Sequence, residues 1–426
     1  MASTLDLDGL LKQIYPKEVL NAVPAAAAIY KDVSFVTREQ QSGGYFIQPV
    51  VLSQEQGWSY FAADATAASS VLTGSVDMAM KPAQVIGSQM AGQSSLTVEA
   101  AKRALSSGPS AFEDSVGLQM RVMRESGVKR LEMNFLYGQT SVAVAASSAN
   151  VNATSTAVTI KLSDWAAGFW AGMKGAKFDL YQTGTYGSQT KVNTNAALVV
   201  STVNATTRIV TITGNSADIT AVDAYIAANA NVAQFFFYGA YGVEAAGLKR
   251  QLTNTAGTLF NISSATFDLW GGNTYSLGTP FALTFAQLQK AVAVAVNRGL
   301  DEEVDVFISP DSWANLLVDQ AALRQYTSGG PSFENGGSKL TFMSQNGKVN
   351  IRPHIFVKQG DAFIVPMKNV KRLGTTDLTY DIPGTQGGKV FIYNQSTMSF
   401  EYRCYSHQTI FINCPAKAVY INGIVN

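Results

Sequence analysis

Residues Pro109–Gly138 read PSAFEDSVGLQMRVMRESGVKRLEMNFLYG. Apolar side chains recur here three, four or eight positions apart, the spacing of one face of an α-helix: Phe112, Val116, Met120, Met123, Leu131 and Phe135. Ser110 and Glu113 have the spacing of a capping box, and Gly138 is a common helix-ending residue. About 27 helical residues form a rod of roughly 40 Å. Because no partner helix of similar length follows, the sequence predicts a long helix that lies on strands.

The composition is unusual for a soluble monomer. Of the 426 residues, 46% are hydrophobic and only 14% are charged, whereas about a quarter is usual. Such a composition favours self-association. The formal net charge of +1 disfavours tight nucleic-acid binding. The beginning, MASTLDLDG, lacks a signal-peptide pattern, and two cysteines are too few for a disulfide framework. We therefore expect neither export nor a membrane span.

A second distinctive stretch begins after Gly43 and Gly44. Tyr45–Leu52 reads as a strand, and alternating apolar residues over 76–80 indicate the returning strand. Three aromatic residues lie in the connecting tip: Trp58, Tyr60 and Phe61. No Lys or Arg occurs from Tyr45 to Met80, and the charged residues are Glu55, Asp64 and Asp77. We predict a long anionic hairpin, whose tip packs either on the chain's own body or on another subunit.

The middle of the chain changes character. Residues 141–156 are almost entirely Ala, Ser, Val and Asn and are interpreted as a connector, while 94–106 is interpreted as a short helix. Short β-type runs separated by turn residues fill 157–245 and predict a small inserted barrel or sandwich.

Local signals are clear in the last part of the chain. Thr284 and Gln287 form a capping box before a helix that Gly299 ends. After a buried strand at 304–308, Ser309-Pro310-Asp311 starts another helix. Asn346-Gly347 predicts a hairpin turn.

No catalytic constellation can be assembled from the sequence. A metal site of His354, His407, Cys404 and Cys414 is conceivable, but only one pair has close ligand spacing, which favours ordinary strand residues. Residues 384–389 (GTQGGK) lack the features of a phosphate loop, and a strand rather than a helix follows. Neither histidine has an acidic neighbour in sequence. We predict no enzyme, no catalytic, metal or cofactor-binding residues and no cofactor.

The order of these parts resembles the major capsid protein of tailed bacteriophages. The resemblance covers essentially the whole chain and rests on GGYFIQPV (43–50), AFEDSVGLQMRVMRESGVKRLEMNFLYG (111–138) and RGLDEEVDVFISPDSWANLL (298–317). It implies an α+β, Hong Kong 97-like fold with an inserted small β-barrel or sandwich. The implied parts are an N-terminal arm 1–42, an extended loop 43–92, a peripheral domain with spine helix 93–140, a connector 141–156, a β-rich insertion 157–245, an axial domain 246–339, peripheral strands 340–400 and C-terminal axial strands 401–426.

This resemblance also implies a function. Hexamers and pentamers would form an icosahedral shell around double-stranded DNA, in a virion assembled in the host bacterial cytoplasm. Expected partners are other copies, a separate scaffold, a portal protein and a decoration protein, with weak DNA contact and no membrane. Since the chain starts almost at the arm and 45–80 contains no Lys, we expect neither a fused scaffolding segment nor covalent cross-linking of the loop. The alternative is another virion component, such as a tail or decoration protein.

Inter-subunit contacts are expected where the acidic loop meets basic residues of a neighbour. The loop candidates are Glu55, Trp58, Tyr60, Phe61 and Asp64. The helix candidates are Arg121, Arg124, Lys129 and Arg130, although these also suit an ordinary solvated face. The basic last quarter of the chain is the other candidate surface, and it contains Lys339, Lys348, Arg352, Lys358, Lys368, Lys371 and Arg372.

Overall fold

The long helix spans Pro109–Tyr137 in the computed structural model, as the sequence predicts. Its second half is buried, with Leu131, Met133 and Phe135 at most 4% exposed. The left-handed residue after the helix is Gln139 (φ 59°) rather than Gly138. Gly138 is required for another reason, because a Cβ at this position would collide with the carbonyl oxygen of Ala245. The helix end is therefore in direct backbone contact with a later part of the chain.

The structure describes residues 27–37, 45–61, 72, 74–97, 109–318, 340–381, 391–394 and 399–426. Several predictions lie outside these residues: most of the arm, Asp64, the helix at 98–106 and the turn at 384–389. The capping box of Ser110 and Glu113 also lies outside, since the side chains of 109–118 are not described.

Helices and strands are mixed along the described chain. Besides the long helix, α-helical segments span Ala28–Asp32, Ala167–Trp170, Ser216–Ala228, Leu248–Leu252, Phe285–Val296 and Pro310–Val318. The sheets are described below, and a two-stranded pair, Thr258–Leu259 with Ile262–Ser263, stands apart from them. No helical segment in the described part of the chain has the length and hydropathy of a membrane span.

A closed six-stranded barrel follows the long helix. Its strands are Ala143–Asn152, Ser155–Ile160, Lys177–Tyr181, Leu198–Asn204, Ile209–Thr213 and Ala233–Phe237. The interpretation of 141–156 as a connector is wrong, because these residues provide the first barrel strand and the start of the second. Ala143 and Ala145 are fully buried, so the small side chains face the barrel interior. The helix Ser216–Ala228, which the sequence did not predict, buries Ile219, Val222 and Ile226.

A five-stranded sheet lies beside the long helix. Its strands are Phe35–Thr37, Val370–Thr379, Ser399–Ile412 and Phe391–Asn394, with Ser88–Thr97 also paired to Ser399–Ile412. The predicted helix at 94–106 is therefore wrong for 94–97, where Ser94 pairs with Tyr402 and Thr97 with Ser399. A distant strand thus overrides the local helical pattern.

A six-stranded sheet forms the second large layer. Its strands, in spatial order, are Asn273–Phe281, Val419–Ile424, Asp361–Val365, Val304–Ile308, Gly347–Pro353 and Leu340–Ser344. The predicted capping box of Thr284 and Gln287 is confirmed, and the Ser309 hydroxyl accepts the Ser312 N–H as a cap should. The predicted hairpin is present, with Gly347 (φ 107°) opening its second strand.

The boundaries predicted at 340 and 400 do not coincide with these sheets. Residues 340–353 and 361–365 hydrogen-bond within the same sheet as 304–308. Residues 399–412 instead pair with 370–379. The assignment of peripheral and axial domains stays a prediction.

Candidate assembly surfaces

A two-stranded antiparallel ribbon stands outside both large sheets. It pairs Phe46–Val51 with Met80–Val85, so the returning strand lies a few residues later than predicted. Irregular pairing continues toward the tip, where Gln56 N–H donates to the Val76 carbonyl. The predicted hairpin is thus confirmed.

The base of this ribbon is held in a small core of its own. Phe46, Leu52, Ala83 and Val85 pack there with residues from the five-stranded sheet and from 262–270. Gln84 N–H donates to the Phe260 carbonyl oxygen at 2.9 Å, which adds a backbone contact. The base is therefore fixed.

Beyond the base, the described tip is exposed. Trp58 and Tyr60 are 80% and 98% exposed, and Phe61 is 48% exposed. Glu55 is exposed as well. Large exposed aromatic side chains often mark a contact surface, and in the part of the chain that the structure describes Trp58 and Tyr60 do not pack on the body.

The four cations of the long helix do not share one open face. Arg121 and Arg124 are exposed. Lys129 is only 8% exposed, its ammonium donates to the Ala171 carbonyl at 2.5 Å, and burial lowers the pKa of Lys129 to about 8. The Arg130 guanidinium lies 3.0 Å from the centre of the Phe237 ring. Lys129 and Arg130 therefore join the helix to the barrel region of the same chain. This corrects the expectation that all four basic residues face a neighbouring subunit.

The basic last quarter is also partly used inside the chain. Arg352 lies 3.0 Å from Asp305 and also contacts Asp32. Lys358 Nζ lies 2.9 Å from Asp164, and Arg372 lies 2.7 Å from Asp377. Because these three cations have internal partners, the sequence overestimates the basic surface that this region offers to a neighbour.

An open groove of about 760 Å³ runs between the strand Ser88–Thr97 and the long helix. Four methionines line it, Met90, Met123, Met133 and Met173, together with Val122 and Leu378. Lys129 and Arg130 are among the residues that line it. The groove combines an adaptable apolar floor with a basic margin.

A buried carboxylate anchors the start of the described chain. Glu132 accepts the backbone N–H groups of Ile29 and Tyr30, each at 2.8 Å. His354 Nε2 lies 2.9 Å from the same carboxylate. Since Phe356 N–H donates to His354 Nδ1, the proton of this ring lies on Nε2 and points at Glu132. Glu132 thus caps the short arm helix from a distant part of the chain.

This pair is the histidine–carboxylate contact that the sequence could not show. Glu132 is 0% and His354 2% exposed, so no substrate reaches them in this arrangement. The other histidine, His407, places Nδ1 at 2.8 Å from the Thr375 hydroxyl. Among the described side chains, no group of three or more His, Cys, Asp or Glu is arranged to hold a metal ion.

A second carboxyl group, that of Glu244, lies beside the C-terminal end of the long helix, where the chain passes into the barrel region. Glu244 accepts the Gln139 N–H at 2.9 Å and the Asn134 amide at 3.4 Å. Burial raises the pKa of Glu244 to about 8, and Gln139, Arg130 and Asn134 oppose this shift only in part. The negative end of the helix dipole also disfavours a carboxylate at this position.

By sequence, no protein-family model and no curated protein matches the chain. By structure, it is similar to a chain of the cyanophage A-1(L) capsid asymmetric unit, with a TM-score of 0.57, 11% identity and 100% of both chains covered. Weaker similarity is found to the capsid of the native GTA particle, with a TM-score of 0.49, 9% identity and coverage of 100% and 99%. The capsid of cyanophage P-SCSP1u gives 0.49, 10% identity and coverage of 99% and 94%.

The first of these likenesses defines the fold. The chain has the α+β fold of phage capsid proteins, the Hong Kong 97-like fold that the sequence resemblance implies. In sequence, the barrel at 143–237 lies between the long helix and the first strand of the six-stranded sheet.

Replacing Glu132 tests the anchor of the arm. Glu132→Ala leaves two backbone N–H groups and His354 Nε2 without their acceptor, so we expect a loss of about 2–4 kcal/mol in the free energy of unfolding. Denaturant unfolding measures this loss, and hydrogen exchange should show faster exchange at residues 29–30. Arg124→Ala, at an exposed position of the same helix, is the matched control and should change neither. Unaltered exchange at 29–30 in Glu132→Ala would contradict the assigned role.

Glu244 predicts a specific dependence of stability on pH. Its folded-state pKa of about 8 exceeds the ordinary value of 4.5, so the folded chain holds the proton longer than the unfolded chain. Stability therefore falls as pH rises from about 4.5 to about 8. Glu244→Gln should remove this contribution, so the variant gains in unfolding temperature over the parent toward pH 8. Exposed Glu303→Gln is the control, and parallel pH profiles for parent and Glu244→Gln would refute the prediction.

Proposed function

We propose that this chain is a major capsid protein, a structural protein whose copies assemble into a closed shell. The supporting observation is the full-length similarity to a chain of the cyanophage A-1(L) capsid. In this proposal hexamers and pentamers form an icosahedral phage head that encloses double-stranded DNA, and the protein resides in the virion after assembly in the host cytoplasm.

The surface supports assembly rather than a monomeric role. The loop beyond the ribbon exposes Trp58, Tyr60, Leu72 and Met78, each more than half exposed. The groove beside the long helix exposes a further apolar surface. In a closed symmetric shell each contact is repeated in every subunit, so individually weak contacts suffice.

The partners follow from the same proposal. A separate scaffold and a portal protein would guide closure, and a decoration protein would bind the outside. Contact with packaged DNA would be weak, because the formal net charge is only +1. Another virion role, as a tail or decoration component, is the alternative, and it differs in the form of the assembly.

Electron microscopy of the purified chain, expressed with and without a scaffold, tests the proposed function. We expect closed shells or, without the scaffold, capsomers and shell fragments. Stacked rings, open tubes of uniform width or add-on trimers would favour a tail or decoration protein. A protein that remains monomeric at high concentration under all conditions would contradict the proposal.

A second experiment tests the charge pairing between the loop and the helix of a neighbouring copy. Glu55→Lys with Asp77→Lys should raise the concentration needed for assembly by roughly two- to tenfold, because exposed pairs contribute ~0.2–1 kcal/mol each. Adding Arg121→Glu and Arg124→Glu should restore part of the loss. Glu303→Lys, at an exposed site outside both surfaces, is the control. Unchanged assembly and salt sensitivity in the loop variant would rule out this pairing.

A further inference from the structure

A cavity of about 230 Å³ lies beside the end of the long helix, between this helix, the barrel region and the strand Ser88–Thr97. Apolar side chains form much of its described wall, among them Leu131, Phe169 and Phe237. Sites for drug-sized ligands have volumes of roughly 300–1,000 Å³. The cavity is smaller than these sites, so it suits a smaller molecule.

Among the described residues that line the cavity, Arg130 and Glu244 have ionic side chains. The Arg130 guanidinium lies over the Phe237 ring, 3.0 Å from the ring centre. This contact uses the face of the planar guanidinium and leaves the N–H groups at its edges for hydrogen bonds. Within the described part of the chain, the guanidinium takes part in no hydrogen bond and no ion pair. Its N–H donors are therefore available to a molecule in the cavity.

Glu244 is the neighbouring carboxyl group, but it does not neutralise Arg130. Its oxygens accept the Gln139 N–H at 2.9 Å and the Asn134 amide at 3.4 Å. Burial raises the pKa of Glu244 to about 8, so this carboxyl is mostly protonated at neutral pH. Burial also lowers the pKa of Arg130, and Glu244 opposes this shift only in part. Because a guanidinium still keeps its charge near neutral pH, the wall contains a cation without a counter-charge.

The other titratable groups around the cavity are tyrosines. Tyr137 and Tyr238 line it, and the strand beside the helix contributes no titratable side chain to the lining. On the barrel side, burial raises the pKa of Tyr186 to about 12, with Glu244 adding to the shift and Arg250 opposing it. The charge of the described wall is therefore set by one guanidinium and one carboxyl group.

We propose that this cavity binds a small organic monocarboxylate, with the carboxylate on Arg130 and the apolar part of the molecule against the surrounding wall. A carboxylate accepts two parallel N–H groups from a guanidinium. Asn134, whose amide has a second N–H, lines the same cavity. Inorganic phosphate has no apolar part and carries more charge, so its desolvation here costs more. One chain forms the described site, so a failure of this proposal would leave the proposed function standing.

Equilibrium dialysis of radiolabelled butyrate against the purified full-length chain tests the site. We expect saturable binding of one butyrate per chain at about pH 6.5, with chloride salts holding the ionic strength constant. Unlabelled benzoate should compete, whereas the uncharged butyramide and the cationic butylammonium should compete at least about tenfold more weakly. Butyrate that does not bind saturably would overturn the proposal. Competition by phosphate but not by benzoate would overturn the assigned class of ligand.

Two exposed valines locate the bound ion. Val243 is 64% exposed and lines the cavity but not the groove, whereas Val122 is 45% exposed and lines the groove but not the cavity. Val243→Asp places a negative charge near the carboxylate and should weaken butyrate binding about tenfold. Val122→Asp is the matched control and should change binding less than about twofold. The reverse order of the two effects would place the ion in the groove and overturn the assignment.

Replacing the cation tests its role directly. Arg130→Gln should weaken butyrate binding about ten- to a hundredfold, because hydrogen bonds to charged groups are lost. Val243→Asp leaves the contact between Arg130 and Phe237 in place, so it decides the question if Arg130→Gln does not fold. Unchanged binding in a folded Arg130→Gln chain, or in Val243→Asp, would overturn the site.

The pH dependence of binding tests the part played by Glu244. Ionised Glu244 adds a negative charge beside the bound carboxylate, so binding should weaken as pH rises through about 8. We expect butyrate to bind the parent at least about threefold more weakly at pH 9 than at pH 6.5. Glu244→Gln should bind equally at both values. Binding by the parent that does not change with pH, or an equal loss in Glu244→Gln, would refute this role.

Discussion

Four charged side chains lie where the end of the long helix, the start of the barrel and the six-stranded sheet meet, and their pairing connects these parts. Lys249 lies 3.0 Å from Asp361, and Lys358 lies 2.9 Å from Asp164; none of the four is more than 20% exposed. Burial alone would raise the pKa of Asp164, but Lys358 and Lys249 outweigh it and keep the pKa below the ordinary value. Removing one partner of a buried pair leaves an uncompensated charge, at a cost of about 3–5 kcal/mol. Each of these ion pairs therefore depends on both of its partners.

The end of the long helix depends on this cluster. Tyr137, the last helical residue, accepts the Lys358 N–H with its hydroxyl, and Lys358 Nζ also donates to the Ser141 carbonyl at the root of the barrel. Asp361 belongs to the six-stranded sheet and accepts the Tyr420 hydroxyl. One turn earlier, Glu132 caps the arm helix. The arm, the barrel and the six-stranded sheet are thus positioned by residues within about two turns of one helix.

Local signals predicted the parts of the fold that local forces decide. The long helix and the Thr284 cap depend on neighbours in sequence, and both are present. The ribbon joins strands that are far apart in sequence, and the alternation of apolar residues predicted it. The strand at 94–97 depends on a partner at 399–402, far along the chain, so the local helical pattern misassigned it. The barrel strand at 143–152 pairs with 155–160 next to it and with 233–235 across the barrel, but its small and polar side chains were interpreted as a connector. For the contact surfaces, spacing placed Lys129 and Arg130 on the helix but could not show Ala171 or Phe237 against them. Which group contacts a charged side chain depends on contacts between distant parts of the chain, and spacing in the sequence does not show them.

The distribution of charge agrees with a chain whose exposed apolar surface is covered by other copies of the same chain. Only 14% of residues are of charged types, and several of these lie buried in the interior, among them Glu132, Lys358 and Arg372. The exterior correspondingly keeps apolar side chains on the ribbon and in the groove. A monomer with this pattern would be prone to nonspecific association through any open strand edge. In the ribbon, Pro49 lies opposite Pro82, and neither residue has a backbone N–H to offer to an added strand, which makes edge pairing there less favourable.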